Sequence, residues 1–135
     1  MKSYSLKMSF LLVCLFSCLY ANSSSEAPIT SLLTGVYVLE GSNPGSETIN
    51  YHGKVEIREC GSNYRLTWSI GNSQVQTGIG ILKDHILSVA YYDFSGNGGT
   101  GVVSFCLTDP QKLEGSWAGY GTPLFGKERL TFSHR

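Results

Sequence analysis

From residue 33 onward, apolar and polar residues alternate in one short run after another. In "NYRLTWSI", Tyr64, Leu66, Trp68 and Ile70 share one face, with Arg65, Thr67 and Ser69 on the other. "GKVEIRE" sets Val55 and Ile57 against Lys54, Glu56 and Arg58. "QVQTGIGIL" aligns Val75, Thr77, Ile79 and Ile81, while Gln74, Gln76, Gly78 and Gly80 share the opposite face. A period of two, populated by β-branched and aromatic residues, is the signature of strands. No window of useful length carries a helical period.

Turn-forming clusters interrupt these runs at regular intervals: "GSNPGSETIN", "CGSN", "GNS", "KDH", "DFSGNGG", "DPQK" and "GYGTPLFG". Between them the pattern predicts eight strands, at 34–41, 51–59, 63–70, 73–82, 86–92, 99–108, 112–118 and 126–133. Short connections favour antiparallel neighbours in chain order. The expected fold is therefore all-β, a single antiparallel up-and-down barrel, because closure removes exposed edges. A two-sheet β-sandwich is the alternative.

The glycine-rich stretch "YYDFSGNGGTGVV" (91–103) raises the question of a phosphate-binding loop. Such a loop needs Lys and Ser/Thr directly after the glycines and then a helix. Here a strand-like "VVSFCL" follows, and the next lysine is Lys112. A dinucleotide fingerprint fails on the same ground, since its glycines must open a helix. Asn97-Gly98 between two strands reads instead as a hairpin tip.

The N-terminus changes the picture of compartment. A lightly basic start precedes the apolar run Met8 to Ala21, too short to span a bilayer comfortably and long enough for an export signal. Residues 1–21 are expected to be a signal peptide, 22–32 a flexible tether and 33–135 the folded domain. Two processing routes fit: a cut after Ala21, or the lipobox-like "LFSC", which would make Cys18 a lipidated first residue. Either product is exported: secreted, periplasmic or membrane-tethered. Removing Lys2 and Lys7 leaves eight basic against ten acidic residues, a net charge of −2. That surface does not attract nucleic acid through its overall field, and a membrane would be met only through the lipid. Cys60 and Cys106 remain of four cysteines. They end strands on opposite walls of a barrel, beyond the ~7 Å a disulfide spans, so no bond is expected. Their spacing and that of the histidines suggest no metal, and no cofactor is implied.

"LTGVYVLEGSNPG" and "LEGSWAGYGTPLFG" echo one another, Leu33, Gly35, Tyr37, Gly41 and Pro44 matching Leu113, Gly115, Trp117, Gly121 and Pro123. Either the first and seventh strands do similar work, each setting an aromatic beside a glycine, or a glycine-rich chain produces the match by chance. The strand succession, "GVY", "GSW" and the closing "GKERLTF" resemble small exported bacterial barrels of avidin-like or lipocalin-like shape, some labelled fibronectin-binding. That resemblance implies a host-matrix ligand.

Catalytic chemistry is thinly represented. His52, His85 and His134 are scattered, and neither GxSxG nor HExxH occurs. An enzyme would have to draw on His52 or on a Tyr91/Asp93 pair. Glu56, Glu114 and Glu128 read as outer-face charges. In a meander, the loops 42–50, 71–73, 93–99 and 119–125 gather at one end, and ligands of barrels enter at the mouth with the longer loops. Asn43, Tyr92, Asp93, Asn97, Tyr120 and Phe125 are therefore the expected binding residues, for a small ligand or an extracellular protein. Phe94 and Phe125 could instead plug that end as core. Trp68, Trp117, Tyr64, Phe105 and Leu130 can fill the interior, while Gly78 and Gly80 either make space or mark a bend. The expected function is that of an exported, non-enzymatic binding module. An envelope assembly component and a secreted enzyme are the alternatives.

Overall fold

A computed structural model of the chain describes residues 33–94, 99–109 and 111–135. These form eight strands: β1 (Gly35–Ser42), β2 (Tyr51–Cys60), β3 (Asn63–Ile70), β4 (Gln74–Lys83), β5 (Ile86–Asp93), β6 (Thr100–Asp109), β7 (Lys112–Gly119) and β8 (Gly126–His134). Each pairs antiparallel with its chain neighbour, and β1 pairs with β8 to close the barrel. The expected boundaries hold to within about one residue, because glycine and short polar clusters end each alternating run. Asn97 and Gly98 lie outside the described residues, but Tyr91 pairs with Gly101 and Tyr92 with Thr100, so the glycine-rich stretch joins adjacent strands.

Strand direction puts the connections 43–50, 71–73, 94–99 and 120–125 at one end, and the tight turns at the other. At the tight end, Gly61 (φ 64°) and Asp84 (φ 55°) adopt the left-handed conformation that a two-residue hairpin requires. That end is sealed. Leu33 is fully buried, its carbonyl accepts the Tyr37 hydroxyl at 2.9 Å, and Phe132 meets the Tyr37 ring edge-on at 5.5 Å. Above this plug, Leu39, Val55, Leu66, Leu87, Phe105, Leu113 and Leu130 fill the middle of the barrel.

β4 is laid against the common expectation for its composition. Its glutamine and glycine face points inward, leaving Ile79 and Ile81 exposed on the outer wall. Gly78 and Gly80 make space: a Cβ at Gly78 would meet the Val89 side chain and the Trp68 ring, and one at Gly80 would meet Leu87. Ile79, Ile81, Ala90, Val102, Ala118 and Phe125 then line a shallow apolar hollow outside β4–β7. The charged outer positions lie elsewhere, where Arg129 on β8 ties to Glu114 on β7 (3.2 Å) and to Glu40 on β1 (4.0 Å).

Glu56 and Glu114 lie on the outer face as expected, but Glu128 does not. It shares the inward parity of Leu130 and is only 7% exposed. Cys60 and Cys106 are free and exposed, on strands that stand opposite each other in the closed order. Of the two echoing segments, Gly35 lies under the Phe132 ring and Gly115 under Phe105. Both glycines thus admit an aromatic from the neighbouring strand.

Candidate functional site

The upper third of the barrel, at the long-loop end, is not filled by aliphatic side chains. A cavity of about 170 Å³ opens there, lined by Asn43, Tyr51, Trp68, Ile70, Gln74, Gln76, Tyr91, Val103, Trp117 and Glu128. Register explains how these residues meet. Glu128 on β8 is paired with Gly41 on β1 on one side and Gly115 on β7 on the other. Gly41 in turn pairs with Tyr51 on β2. With no side chain at Gly41, the Tyr51 ring lies across its backbone, where a Cβ would collide with it, and reaches the carboxylate. The Tyr51 hydroxyl donates to Glu128 Oε1 at 3.0 Å, and Trp68 Nε1 donates to Oε2 at 3.1 Å from β3.

Two further rings close the wall. Tyr91 stands 6.4 Å from Trp68 and 6.5 Å, edge-on, from Trp117. Trp117 lies against Gly126, where a Cβ would strike its indole. Its Nε1 is buried without a hydrogen-bond partner of good geometry, although it faces the Tyr51 hydroxyl closely enough to ease that group's acidity. Beside the aromatic wall, Asp93 is 5% exposed and accepts from Gln74 Nε2 at 3.2 Å, while its backbone N–H donates to the Gly99 carbonyl at 2.7 Å.

Electrostatics follow burial. Removal from water pushes the Glu128 carboxyl from 4.5 up to about 7, with the Trp68 and Tyr51 hydrogen bonds pulling the other way. Burial, and then the Glu128 charge, push the Tyr51 hydroxyl far above its ordinary value. Tyr91 is raised by burial and by the charges of Glu128 and Asp93. Both phenols therefore stay protonated at neutral pH, suited to donate hydrogen bonds and not to act as nucleophiles.

The expected binding residues divide. Asn43 and Asp93 belong to the cavity region. Tyr92 faces outward at 46% exposure and packs edge-on against Phe94 at 4.6 Å. Tyr120 and Phe125 project from the rim at 93% and 71% exposure, so Phe125, like Phe94 at 68%, does not plug the barrel. Asn97 and Cys18 lie outside the described residues. His52 and His85 are on the outside, away from Tyr91 and Asp93, which share the inner face of β5 close enough for the Asp93 charge to act on the Tyr91 hydroxyl. Among the described residues no group of three or more His, Cys, Asp or Glu side chains could hold a metal ion.

Sequence reasoning missed Tyr51, Gln74, Gln76 and Glu128 as site residues. The signal was parity: Glu128 lies two residues before Leu130, and Gln74 and Gln76 precede Gly78 and Gly80 on one face. Two larger hollows, about 500 and 700 Å³, lie on the outer wall, but the buried polar groups converge on the interior cavity.

No family model and no curated protein matches the chain. Solved structures do. A redesigned β-barrel, mFAP1, bound to DFHBI, matches with a TM-score of 0.64 at 12% identity, covering 76% of this chain and 97% of that one. A de novo designed fluorescence-activating β-barrel matches with a TM-score of 0.62 at 9% identity, covering 76% of this chain and 95% of that one. The likeness is to designed small barrels. At such identities it carries the fold alone, an eight-stranded closed barrel, and the site's chemistry rests on this chain's own side chains.

Proposed function

We propose that the chain is an exported, non-enzymatic binding module that takes a small ligand into the long-loop end of its barrel. The observation that carries this reading is the cavity of about 170 Å³ walled by Tyr51, Trp68, Tyr91 and Trp117 with Glu128 inside. Small eight-stranded barrels either fill their interior or hold one small ligand, and here the upper third is left open. Concave, mostly apolar sites with a few placed polar groups are where small molecules bind. The mFAP1 barrel, similar in shape, is bound to DFHBI, which supports the capacity of such an architecture. Export, through a signal peptide at residues 1–21 or a lipid on Cys18, rests on the pattern of the N-terminus.

The test is native mass spectrometry of the mature protein from its own host, followed by ligand-observed NMR against a library of monocyclic compounds. Wild type retains a small molecule or captures library members, and Ile70→Trp, which fills the cavity from its edge, loses them. Equal behaviour of wild type and Ile70→Trp overturns the reading. The same mass spectrum reports the mature N-terminus and any acyl chain. A second reading is favoured by Tyr120 and Phe125, whose exposed rings on the rim suit a sugar or a host-matrix protein. Alanine at both positions would then abolish capture while leaving the cavity's ligand in place.

A further inference from the structure

We infer that the ligand of this cavity is a small organic cation, an aromatic or alkyl amine of about one ring, seated among Tyr51, Trp68, Tyr91 and Trp117 with Glu128 as its counter-charge. The inference rests on the small-ligand reading above and adds the ligand's class. Its first support is the composition of the wall. Ten residues line the cavity, four of them Trp or Tyr, and none is Lys, Arg or His. The faces of such rings attract a desolvated cation, Trp most strongly.

The second support is the carboxylate. A buried ionised group is ordinarily paired with a cation or a metal. None of the ion pairs among the described residues includes Glu128. Its two oxygens are instead held by uncharged donors, Tyr51 and Trp68, which orient the group without neutralising it. The titratable and charged groups that face it are Tyr51 from β2 and Tyr91 from β5, with Asp93 beside Tyr91. The residues paired beside it, Gly41 and Gly115, carry no side chain, and the nearby side chains of β3 and β7, Trp68 and Trp117, carry no charge. The formal charges that reach the cavity from the described residues, Glu128 and Asp93, are therefore both negative. Lys127 and Arg129, the neighbours of Glu128 on its own strand, sit on the outer wall in ion pairs with Glu47, Glu40 and Glu114. A cation entering the cavity finds a buried carboxylate whose printed partners are both uncharged donors, while an anion is repelled.

Size narrows the class further. An engineered cavity of about 150 Å³ holds benzene, so about 170 Å³ accepts one ring with a short tail. The pH response is part of the same chemistry. Burial holds the carboxyl near neutrality, so acidification protonates Glu128 and removes the attraction, and bound cation in turn favours the ionised carboxylate.

The experiment compares three probes of one shape, phenethylamine, phenethyl alcohol and phenylacetate, by isothermal titration calorimetry at pH 8 and pH 5.5. The expected result is at least about tenfold tighter binding of the amine than of the alcohol at pH 8. That preference shrinks at pH 5.5 and in Glu128→Gln, and phenylacetate binds weakest throughout. The wild-type pH comparison stands by itself if Glu128→Gln fails to fold. Equal binding of amine and alcohol, both abolished by Ile70→Trp, overturns the cation assignment and leaves a small-ligand cavity. Preference for phenylacetate overturns it likewise. Failure of all three probes to bind wild type at millimolar concentration overturns both the class and the cavity's function.

Discussion

Burying Glu128 has a consequence that unfolding experiments read directly. In the unfolded chain the carboxyl titrates at 4.5; in the barrel it is pushed up to about 7. The folded state therefore holds the proton more tightly. Its extra stability is fully present below pH 4.5, declines as pH rises and is lost above about 7. At about 1.36 kcal/mol per pH unit, the full change is about 3 kcal/mol, a large fraction of the stability of a domain this size. Tyr37, pushed up to about 12, titrates far above this window, and Tyr51 and Tyr91 are raised from 10.0 as well. The ion pair of Glu56 with Arg58 is exposed and contributes little in either direction. Urea unfolding followed by tryptophan fluorescence, at whole pH steps from 5 to 9, should show wild type losing most of that about 3 kcal/mol by pH 8. Glu128→Gln removes the titration and keeps the shape. Its amide oxygen can accept from Trp68 and its amide N–H can donate to the Tyr51 oxygen. The variant should match wild type near pH 5 and exceed it at pH 8. Parallel pH profiles for the two proteins would refute the placement of an ionisable carboxyl in the barrel interior.

Three other outcomes follow from the same geometry. Gly41→Ala drives a Cβ into the Tyr51 ring; overpacking should cost about 1–3 kcal/mol in urea unfolding and alter the near-UV tyrosine dichroism. Ile81→Lys, on the outer wall at 65% exposure, should shift stability by no more than about 0.5 kcal/mol, whereas Leu66→Ala in the filled middle should cost about 2–5 kcal/mol in the same assay. Trp68→Phe deletes a hydrogen bond that favours the ionised carboxylate, so the Glu128 midpoint in a carbon-13 NMR titration should move further upward; a downward shift would contradict the assigned contact.

The barrel was legible because its rules are local. Alternation along "NYRLTWSI" and a turn cluster after each run suffice to define a strand, and short connections suffice to order neighbours. The contents of the upper third were not legible in the same way. Gln74, Gln76, Asp93 and Glu128 break the rule that polar positions face water. Gln74, Asp93 and Glu128 are tolerated inside because a partner arrives from elsewhere in the chain: Gln74 and Asp93 take each other across nineteen residues, and Glu128 takes Trp68 from sixty residues away and Tyr51 from seventy-seven. A pattern read one strand at a time assigns such residues to the surface, as it did Glu128. What betrays them is the conflict between residue type and parity. Glu128 shares a face with Leu130, Asp93 with Tyr91 and Val89, and Gln76 with Gly78. Polar groups at inward parity, clustered at the end where the connections are long, are costly unless something answers them. In this barrel, hydrogen bonds from Tyr51, Trp68 and Gln74 answer the geometry of the carboxylates. Those donors bring no positive charge to Glu128. That residual imbalance, more than the rhythm of the strands, marks the site.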